Sequence, residues 1–340
     1  MNSYERIITA MKGEQPDRIP LVEFIIDPAV YTAILPRAES QTDFEEYFDF
    51  DAVCTGVTFE KVKTHGDGTY TDEWGVLYKP ASEEVDHPVK GPITDIKELE
   101  AYTPPPPDAP GRLGKLENLV ERFKHKKAII FHQRAAFMWS AYLIGIDNLL
   151  MNFLIEPEFT EQLLDMVLET NLQTARNALR AGADIIVLGD DYASNAGPLF
   201  SPDIFNRFIL PRLQKMIDCI HEEGGFAVKH SDGNLWKILD QIVDTGIDGL
   251  NPMEPTAGMD IGEVKTKYGD RVCLLGNIDC AHLLPHGTRE EVEQAVRECI
   301  DKASQGGGFI LTSSNSIHSS VDPENYRTMI EYAKKFAEYT

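Results

Sequence analysis

The chain reads as an α/β protein of the (β/α)8 TIM-barrel class. β-prone apolar runs alternate with helical segments, and eight such runs can be counted across the sequence. No glycine-rich dinucleotide turn follows the first run, which argues against an open doubly wound sheet. The runs also end in His, Asp, Asn and Ser, as expected where barrel strands open onto a shared rim. Residues 1–340 are taken as a single barrel domain.

Residues 3–12 carry a helical rhythm that Pro16 and Pro20 end, and LVEFII at 21–26 is the first expected strand. Within it, Glu23 can point into the site or lie on a solvated face, and the second is the expectation. A short helix near 43–48 precedes AVCTGVTF at 52–59, a run rich in β-formers. Residues 61–90 contain GDGTYTDEWGVLYKP, where Gly and Asp turn signals separate β-prone residues. This stretch reads as an inserted β-hairpin placed to cover a site. The prolines at 104–107 form a stiff surface connector.

Regular alternation begins with the strand AIIFHQ at 128–133, followed by two helical segments within 135–180 and the strand ADIIVLGDD at 183–191. Helices near 202–223, 235–245, 261–268 and 289–304 lead to strands at 226–230, 247–254, 272–279 and 308–316, and a helix at 323–339 closes the chain.

Fifty-five acidic against 32 basic side chains give a formal net charge of -23, which repels a phosphate backbone and argues against a nucleic-acid partner. No apolar run approaches the ~20 residues needed to span a bilayer, so no membrane role is expected. The N-terminus lacks the pattern of a secretory signal, and a cytoplasmic location is the expectation. The cysteines, Cys54, Cys219, Cys273, Cys280 and Cys299, show neither CxxC nor zinc-finger spacing and read as reduced thiols.

The chemistry is expected at the strand ends. They offer His132 and Gln133; Asp190, Asp191 and Tyr192; His230, Asp232 and Asn234; Asn251 and Glu254; Asn277, Asp279 and Cys280; and Ser313, Ser314, Asn315 and His318. His132, Asp190, Asp191 and His318 are candidate acids, bases or charge stabilisers. Gln133, Tyr192, Asn234, Asn277, Asp279 and Asn315 are candidate substrate contacts. His230, Asp232 and Glu254 form a plausible zinc shell of one imidazole and two carboxylates that leaves a position open for substrate. Structural alternatives stand beside these roles: Asp190 or Asp191 could cap a helix, Asn234 could be an N-cap, and the SSNS stretch could be a backbone-bonded turn.

Taken in order, GADIIVLGDDYAS, LFSPDIFNRFILPRLQKMID, FAVKHSDGN, GNIDCAHLL and GGGFILTSSNSIHSSVDPENY resemble the uroporphyrinogen decarboxylase superfamily. The likeness implies a barrel with its cleft at the C-terminal strand ends. The true decarboxylases carry an arginine-rich loop of the type RQAGR, where this chain has PLVEFIIDPA. Without that cationic clamp an octacarboxylate substrate is disfavoured.

The corrinoid-dependent methyltransferases of the superfamily carry an HxCGN motif after a strand, and here the corresponding residues are His230, Ser231, Asp232, Gly233 and Asn234. Their zinc uses the histidine, the cysteine two residues on and a late-loop cysteine; this chain has Asp232 and Asn315 at the two cysteine positions. Oxygen ligands make the metal harder and suit activation of an ether or alcohol oxygen better than a thiol.

The expected function is methyl transfer from a small methylated or methoxylated substrate to a corrinoid, in the manner of an O-demethylase component. With no B12-binding DxHxxG segment located, the corrinoid is expected on a partner protein. The alternatives are decarboxylation of a porphyrinogen or other polycarboxylate, with Asp190 or Asp191 stabilising a pyrrole-like cation, and a non-catalytic small-molecule binding barrel.

Overall fold

The structure, a computed structural model, describes residues 1–81 and 86–336. Strand β1 (Ala52–Gly56) is followed by β2 (Lys61–Thr64), β3 (Tyr70–Asp72), β4 (Leu77–Lys79) and β5 (His87–Lys90). Then come β6 (Ala128–Gln133), β7 (Ile185–Gly189), the short β8 (Ala193–Ser194) and β9 (Gly197–Pro198), β10 (Phe226–His230), β11 (Gly249–Asn251), β12 (Cys273–Ile278) and β13 (Phe309–Ser313). β1, β6, β7, β10, β11, β12 and β13 form one curled parallel sheet in that order, with helices between successive strands, a TIM-barrel-like arrangement.

The first expected strand is present as a pinned segment and not as a regular strand. Leu21 and Ile26 make isolated parallel bridges to Leu311 and Ile317. On the other side, the Asp51 N–H donates to the Leu21 carbonyl at 2.9 Å, and the Asp51 carboxylate accepts the Leu21 N–H at 2.9 Å. Pro20 has no N–H to give a ladder, and the Ile26 amide is taken by the Gln41 side chain at 2.9 Å. Isolated backbone bridges to the β13 side and mixed backbone and side-chain contacts to Asp51 therefore join the two ends of the sheet where continuous pairing does not.

Period-two alternation sorts each strand into two faces. Ala128, Ile130, Ile185, Val187, Val228, Cys273, Leu275 and Ile310 fill the barrel interior together with Ile7, Ala10 and Met11. The last three come from the helix Ser3–Met11, which Asn2 and Glu5 start with a reciprocal capping box. That helix plugs the N-terminal end of the barrel and leaves the C-terminal strand ends open. The alternate residues, among them Ile129, Phe131, Ile186, Leu188, Ala227, Leu274, Phe309 and Leu311, pack outward against the helices.

Two expectations are corrected, and one extends beyond the described residues. The insertion is a four-stranded antiparallel sheet in the order β2-β3-β4-β5, not a single hairpin, because a second turn at residues 73–76 splits it; there the Asp72 carboxylate accepts the Val76 N–H at 2.9 Å. Residues 82–85 of that stretch lie outside the described residues. The two helical segments foreseen within 135–180 are three, Phe137–Ile144, Ile146–Ile155 and Pro157–Ala181, broken at Gly145 with φ 88° and at Pro157. The closing helix runs over Pro323–Phe336, and its foreseen end at 337–339 lies outside the described residues.

The inserted sheet is fixed over the open end of the barrel by aromatic packing. Fully buried Trp74 stacks on Trp139 of the helix Phe137–Ile144, ring centroids 4.8 Å apart and 18° from parallel. Among the described residues no single helix is long and apolar enough to cross a membrane.

Candidate metal and substrate site

Extending the two faces past the strand ends separates neighbours in sequence. His132 follows Ile130 on the inner face, His230 follows Val228, and Asp191 falls two residues beyond Gly189. Asn251 lies beside His230, which in turn lies beside Gly189, in the sheet register. These residues reach a cavity of about 630 Å³ at the C-terminal ends of the strands. Its remaining wall includes Phe24, Phe59, Tyr70, Tyr78, Trp139 and Tyr142, so the inserted sheet forms part of the enclosure.

At one corner of the cavity, one ligand atom each of Asp191, His230 and Asp232 lies within 4.8 Å of the others. His230 Nε2 is 3.8 Å from Asp191 Oδ1 and 3.6 Å from Asp232 Oδ1. The other ring nitrogen, Nδ1, is 2.5 Å from Asn251 Oδ1. Asn251 Nδ2 donates to the Leu275 carbonyl at 2.8 Å, so the amide oxygen has to face the imidazole. Nδ1 therefore carries the proton, and in the neutral ring the Nε2 lone pair points toward the two carboxylates. A lone pair facing two anions needs a cation or a proton between them.

Asp232 shows the same demand. Its Oδ2 accepts from Asn315 Nδ2 at 2.6 Å, whereas its buried Oδ1 has no hydrogen-bond partner. Burial pushes its carboxyl up to about 6; His230 opposes that rise, and the charges of Asp191 and Glu254 add to it. An orphaned carboxylate oxygen, an oriented imidazole and a second carboxylate fit a divalent metal such as zinc, with an open position for substrate.

Glu254 is not brought into this cluster. Its Oε2 accepts the Gly233 N–H at 2.8 Å, and its Oε1 accepts from the Thr256 hydroxyl. That contact holds the loop after β10 in a tight approach: Gly233 has φ 84°, and a Cβ there would lie 2.6 Å from the Ala193 carbonyl. Asp191, foreseen as an acid or charge stabiliser, stands in the corner where Glu254 was foreseen.

Asp190 is placed on the outer face and is fully buried. Its carboxylate accepts the backbone N–H groups of Ala135, Ala136, Phe137 and Met138 at 3.0, 3.1, 3.4 and 3.0 Å, capping the helix Phe137–Ile144. Lys229, also outward and fully buried, donates to the carbonyls of Leu188, Asp190 and His230, the first two at 3.3 and 2.5 Å. Burial lowers its ammonium to about 8. It ties the end of β7 to the end of β10 and so helps to set Asp191 against His230.

The other foreseen residues divide the same way. His132 lines the cavity with its Nε2 unpartnered, packs edge-to-face on Phe24 at 4.9 Å, and is held neutral by burial, its value lowered to about 3. Asn315 lines the cavity and holds Asp232. Gln133 also borders the cavity, with its amide nitrogen donating outward to the Asn171 carbonyl at 3.3 Å.

Tyr192 is core, packed with Phe137, Phe200 and Phe205 and lying under the Lys229 ammonium. Asn234 donates to the Ala257 carbonyl and accepts from the Trp236 N–H, a turn role. Asn277 donates to the Met253 carbonyl at 2.8 Å, and Asp279 accepts the N–H groups of Ala281 and His282. His318 lies on the Cys280 carbonyl at 2.9 Å. Cys280 itself is buried, with its thiol pushed up to about 12.

Glu23 is the clearest correction. Of its two readings, site-facing or solvated, the favoured solvated one is overturned: it is 2% exposed and borders the cavity at the seam between residues 21–26 and β13. Ser313 Oγ donates to Glu23 Oε1 at 2.8 Å, and burial pushes its carboxyl up to about 8. Buried Glu45 is likewise pushed up to about 8, by burial first and partly by Glu23.

The folded chain holds these protons more tightly than the unfolded chain does. The stability they contribute is complete below the ordinary carboxyl value and is lost as pH rises toward 8, by up to ~1.4 kcal/mol per pH unit per group. In denaturant unfolding, Glu23→Gln is expected to flatten the decline in stability between about pH 5 and pH 8; an unchanged slope would mean that Glu23 is ionised throughout.

The comparisons with known proteins agree with this architecture. A family model described as uroporphyrinogen decarboxylase (URO-D) matches residues 75–336. The methylcobamide:CoM methyltransferase MtbA of Methanosarcina acetivorans is 26% identical over 98% of this chain and 97% of its own length. The uroporphyrinogen decarboxylase of Pseudoalteromonas translucida is 29% identical over 54% of this chain, and the chain spans 50% of that relative. A solved structure described as a methyltransferase from Methanosarcina mazei superposes over 99% of both chains with a TM-score of 0.78 at 20% identity, a likeness of fold. With more than half of its length matched by that model, the chain belongs to the uroporphyrinogen decarboxylase family.

Proposed function

We propose that this protein transfers a methyl group from a small methylated or methoxylated compound to the corrinoid of a separate protein. The observation that carries the reading is the corner formed by Asp191, His230 and Asp232, where an oriented imidazole and an orphaned carboxylate oxygen converge. The full-length likeness to a methylcobamide:CoM methyltransferase supports the reaction class.

These three residues would hold zinc, and the bound metal would supply Lewis acidity toward the heteroatom that carries the methyl group. Asn251 keeps the His230 lone pair directed into the corner, and Asn315 orients Asp232. For a methyl ether, the bond between oxygen and methyl carbon breaks with its electron pair left on oxygen, and the methyl carbon bonds to the reduced corrinoid nucleophile. Glu23, neutral near pH 7, is placed at the cavity wall to return a proton to the oxygen anion. His132 and the aromatic side chains of Phe59, Trp139 and Tyr142 line the cavity beside these groups.

A polycarboxylate decarboxylation is less well supported. Lys61 and Arg134 are the cations among the described cavity-lining residues, and Lys61 is already paired with Asp86 at 3.4 Å. Incubation with free cob(I)alamin and a panel of methyl ethers and methylamines tests the choice. Methylcobalamin formation is expected, whereas CO2 release from uroporphyrinogen without any methyl transfer would overturn the proposal.

A further inference from the structure

Two buried polar groups behind the cavity wall take no part in the chemistry above. Glu45 sits on the helix Gln41–Tyr47 and Tyr326 on the closing helix, 1% and 0% exposed. Glu45 Oε1 accepts from Gln41 Nε2 at 2.8 Å. Among the described residues, neither Glu45 Oε2 nor the Tyr326 hydroxyl has a hydrogen-bond partner. Two such orphans in one place are unusual, because a buried polar atom left unpaired carries its full desolvation penalty.

Both belong to the surroundings of Glu23. The Tyr326 hydroxyl faces the Glu23 carboxyl and favours its ionised form, while burial and the charges of Glu23 and Glu45 push the phenol up. Glu23 likewise raises Glu45, and the Tyr326 ring stacks on Phe44, the residue before Glu45, with centroids 6.0 Å apart. The Cys54 thiol donates to the Glu23 carbonyl at 3.3 Å and is pushed well above its ordinary value by burial first and then by both carboxyls. The Cys280 thiol, raised by burial, also faces Glu23, and Ser313 Oγ donates to it. Around Glu45, Gln41, the Lys127 ammonium and the Cys54 N–H favour the ionised form. Lys127 Nζ is 3.4 Å from Asp49 Oδ1, and the Asp49 side chain is 68% exposed. The cluster therefore reaches from the cavity wall at Glu23 to a solvent-facing ion pair at Asp49.

We propose that Glu45 and Tyr326 are positioning residues that share protons with Glu23 and resupply it from the side of the barrel away from the cavity. Its use in turnover rests on the methyl-transfer reading, but the sharing exists in the resting protein. When Glu23 gives its proton to the oxygen anion of the product, it is left as a carboxylate. The Tyr326 O–H then protonates Glu23 and takes the proton of Glu45, so that Tyr326 ends unchanged and Glu45 becomes the carboxylate. Glu45 recovers its proton from solvent by way of the ion pair of Lys127 and Asp49. One solvent proton is consumed for each methyl group removed. The orphaned Glu45 Oε2 and Tyr326 hydroxyl are the groups that such an exchange uses, and burial keeps both carboxyls protonated at neutral pH, as it requires.

Infrared absorption of the protonated carboxyl groups, followed against pH in the full chain, tests the sharing without turnover. Glu23→Gln and Glu45→Gln assign the two bands. The unmodified chain is expected to lose the two protons in separate steps, because the first charge formed opposes the second. Glu45→Gln should leave one step, at a pH below the second step of the unmodified chain. Tyr326→Phe should move the Glu23 step upward, since the ionised carboxylate loses a donor. In turnover with free cob(I)alamin, Glu45→Gln and Tyr326→Phe should each lower kcat about tenfold or more without a matching rise in KM, and Glu45→Asp should restore part of the loss.

A Glu23 step at the same pH in the unmodified chain, Glu45→Gln and Tyr326→Phe would overturn the proposal, as would kcat unchanged in both variants of a chain that transfers methyl groups. A purely structural role would lower the thermal midpoint and leave the carboxyl titration in place, which also overturns it. Thermal unfolding identifies a variant that fails to fold, and the other then decides. If the titrations are coupled but no methyl reaches cob(I)alamin, the methyl-transfer reading fails and the sharing of protons stands. If methyl transfer occurs and the titrations are independent, the sharing fails and the methyl-transfer reading stands.

Discussion

Replacing His230 with alanine is expected to reduce methyl transfer on the order of a hundred- to a thousandfold while leaving the chain folded. The imidazole contributes the one nitrogen to the corner of Asp191, His230 and Asp232, and its loss leaves the two carboxylates alone there. Lewis-acid activation is worth several kcal/mol, and each ~1.4 kcal/mol corresponds to a factor of ten in rate. The side chain is on the inner face at the open end of the barrel, so little core packing is lost with it.

Asn251 makes the prediction specific. It fixes the tautomer of His230 through Oδ1 and is itself held by the Leu275 carbonyl. Asn251→Ala should weaken metal affinity about 10- to 100-fold with His230 still present. The checks are metal content, rate and circular dichroism on both variants; full activity in His230→Ala would remove the corner from the reaction.

The adjacent aspartates Asp190 and Asp191 are expected to fail in opposite ways. Asp190→Ala removes the common acceptor of four backbone N–H groups, three buried and one partly buried, at the start of the helix Phe137–Ile144. Leaving them unpaired costs roughly 3 to 5 kcal/mol, since each buried orphan donor is expensive and the lost acceptor is charged. Because that helix carries Trp139, on which Trp74 of the inserted sheet stacks, binding in the cavity should decline with stability.

Asp191→Asn keeps an oxygen able to accept the Asp232 N–H, which Asp191 Oδ1 now receives at 3.1 Å. Its stability should change by less than about 1 kcal/mol, as for a hydrogen bond that is kept, while metal affinity and rate fall. Urea unfolding read beside activity separates the two; a stable, inactive Asp190→Ala protein would contradict the division of roles.

The separation between these neighbours shows how much of the site is legible in sequence. Strand runs and their polar ends are readable because burial on both faces leaves continuous apolar segments that stop where the rim begins. Counting by twos from Val187 and Val228 also places Asp191 and His230 inward and Asp190 and Lys229 outward. Taking the strand ends as sets of residues, without following the alternation through them, loses that distinction.

Other features depend on contacts distant in sequence. Glu23 is buried because Ser313, far along the chain, meets it at the barrel seam. Glu254 is drawn to Gly233 by the loop between β10 and the following helix, which no local pattern encodes. The inserted sheet is legible as β structure from its Gly and Asp signals, but its number of strands depends on a turn closed by Asp72.

The most direct measurement is calorimetric titration of metal-stripped protein with Zn2+. The account predicts one site per chain, with binding weakened at least about tenfold in Asp232→Ala and in His230→Ala and unaffected by Asp190→Asn in the folded protein. Absence of binding to the unmodified chain, or binding that survives loss of both His230 and Asp232, would contradict it.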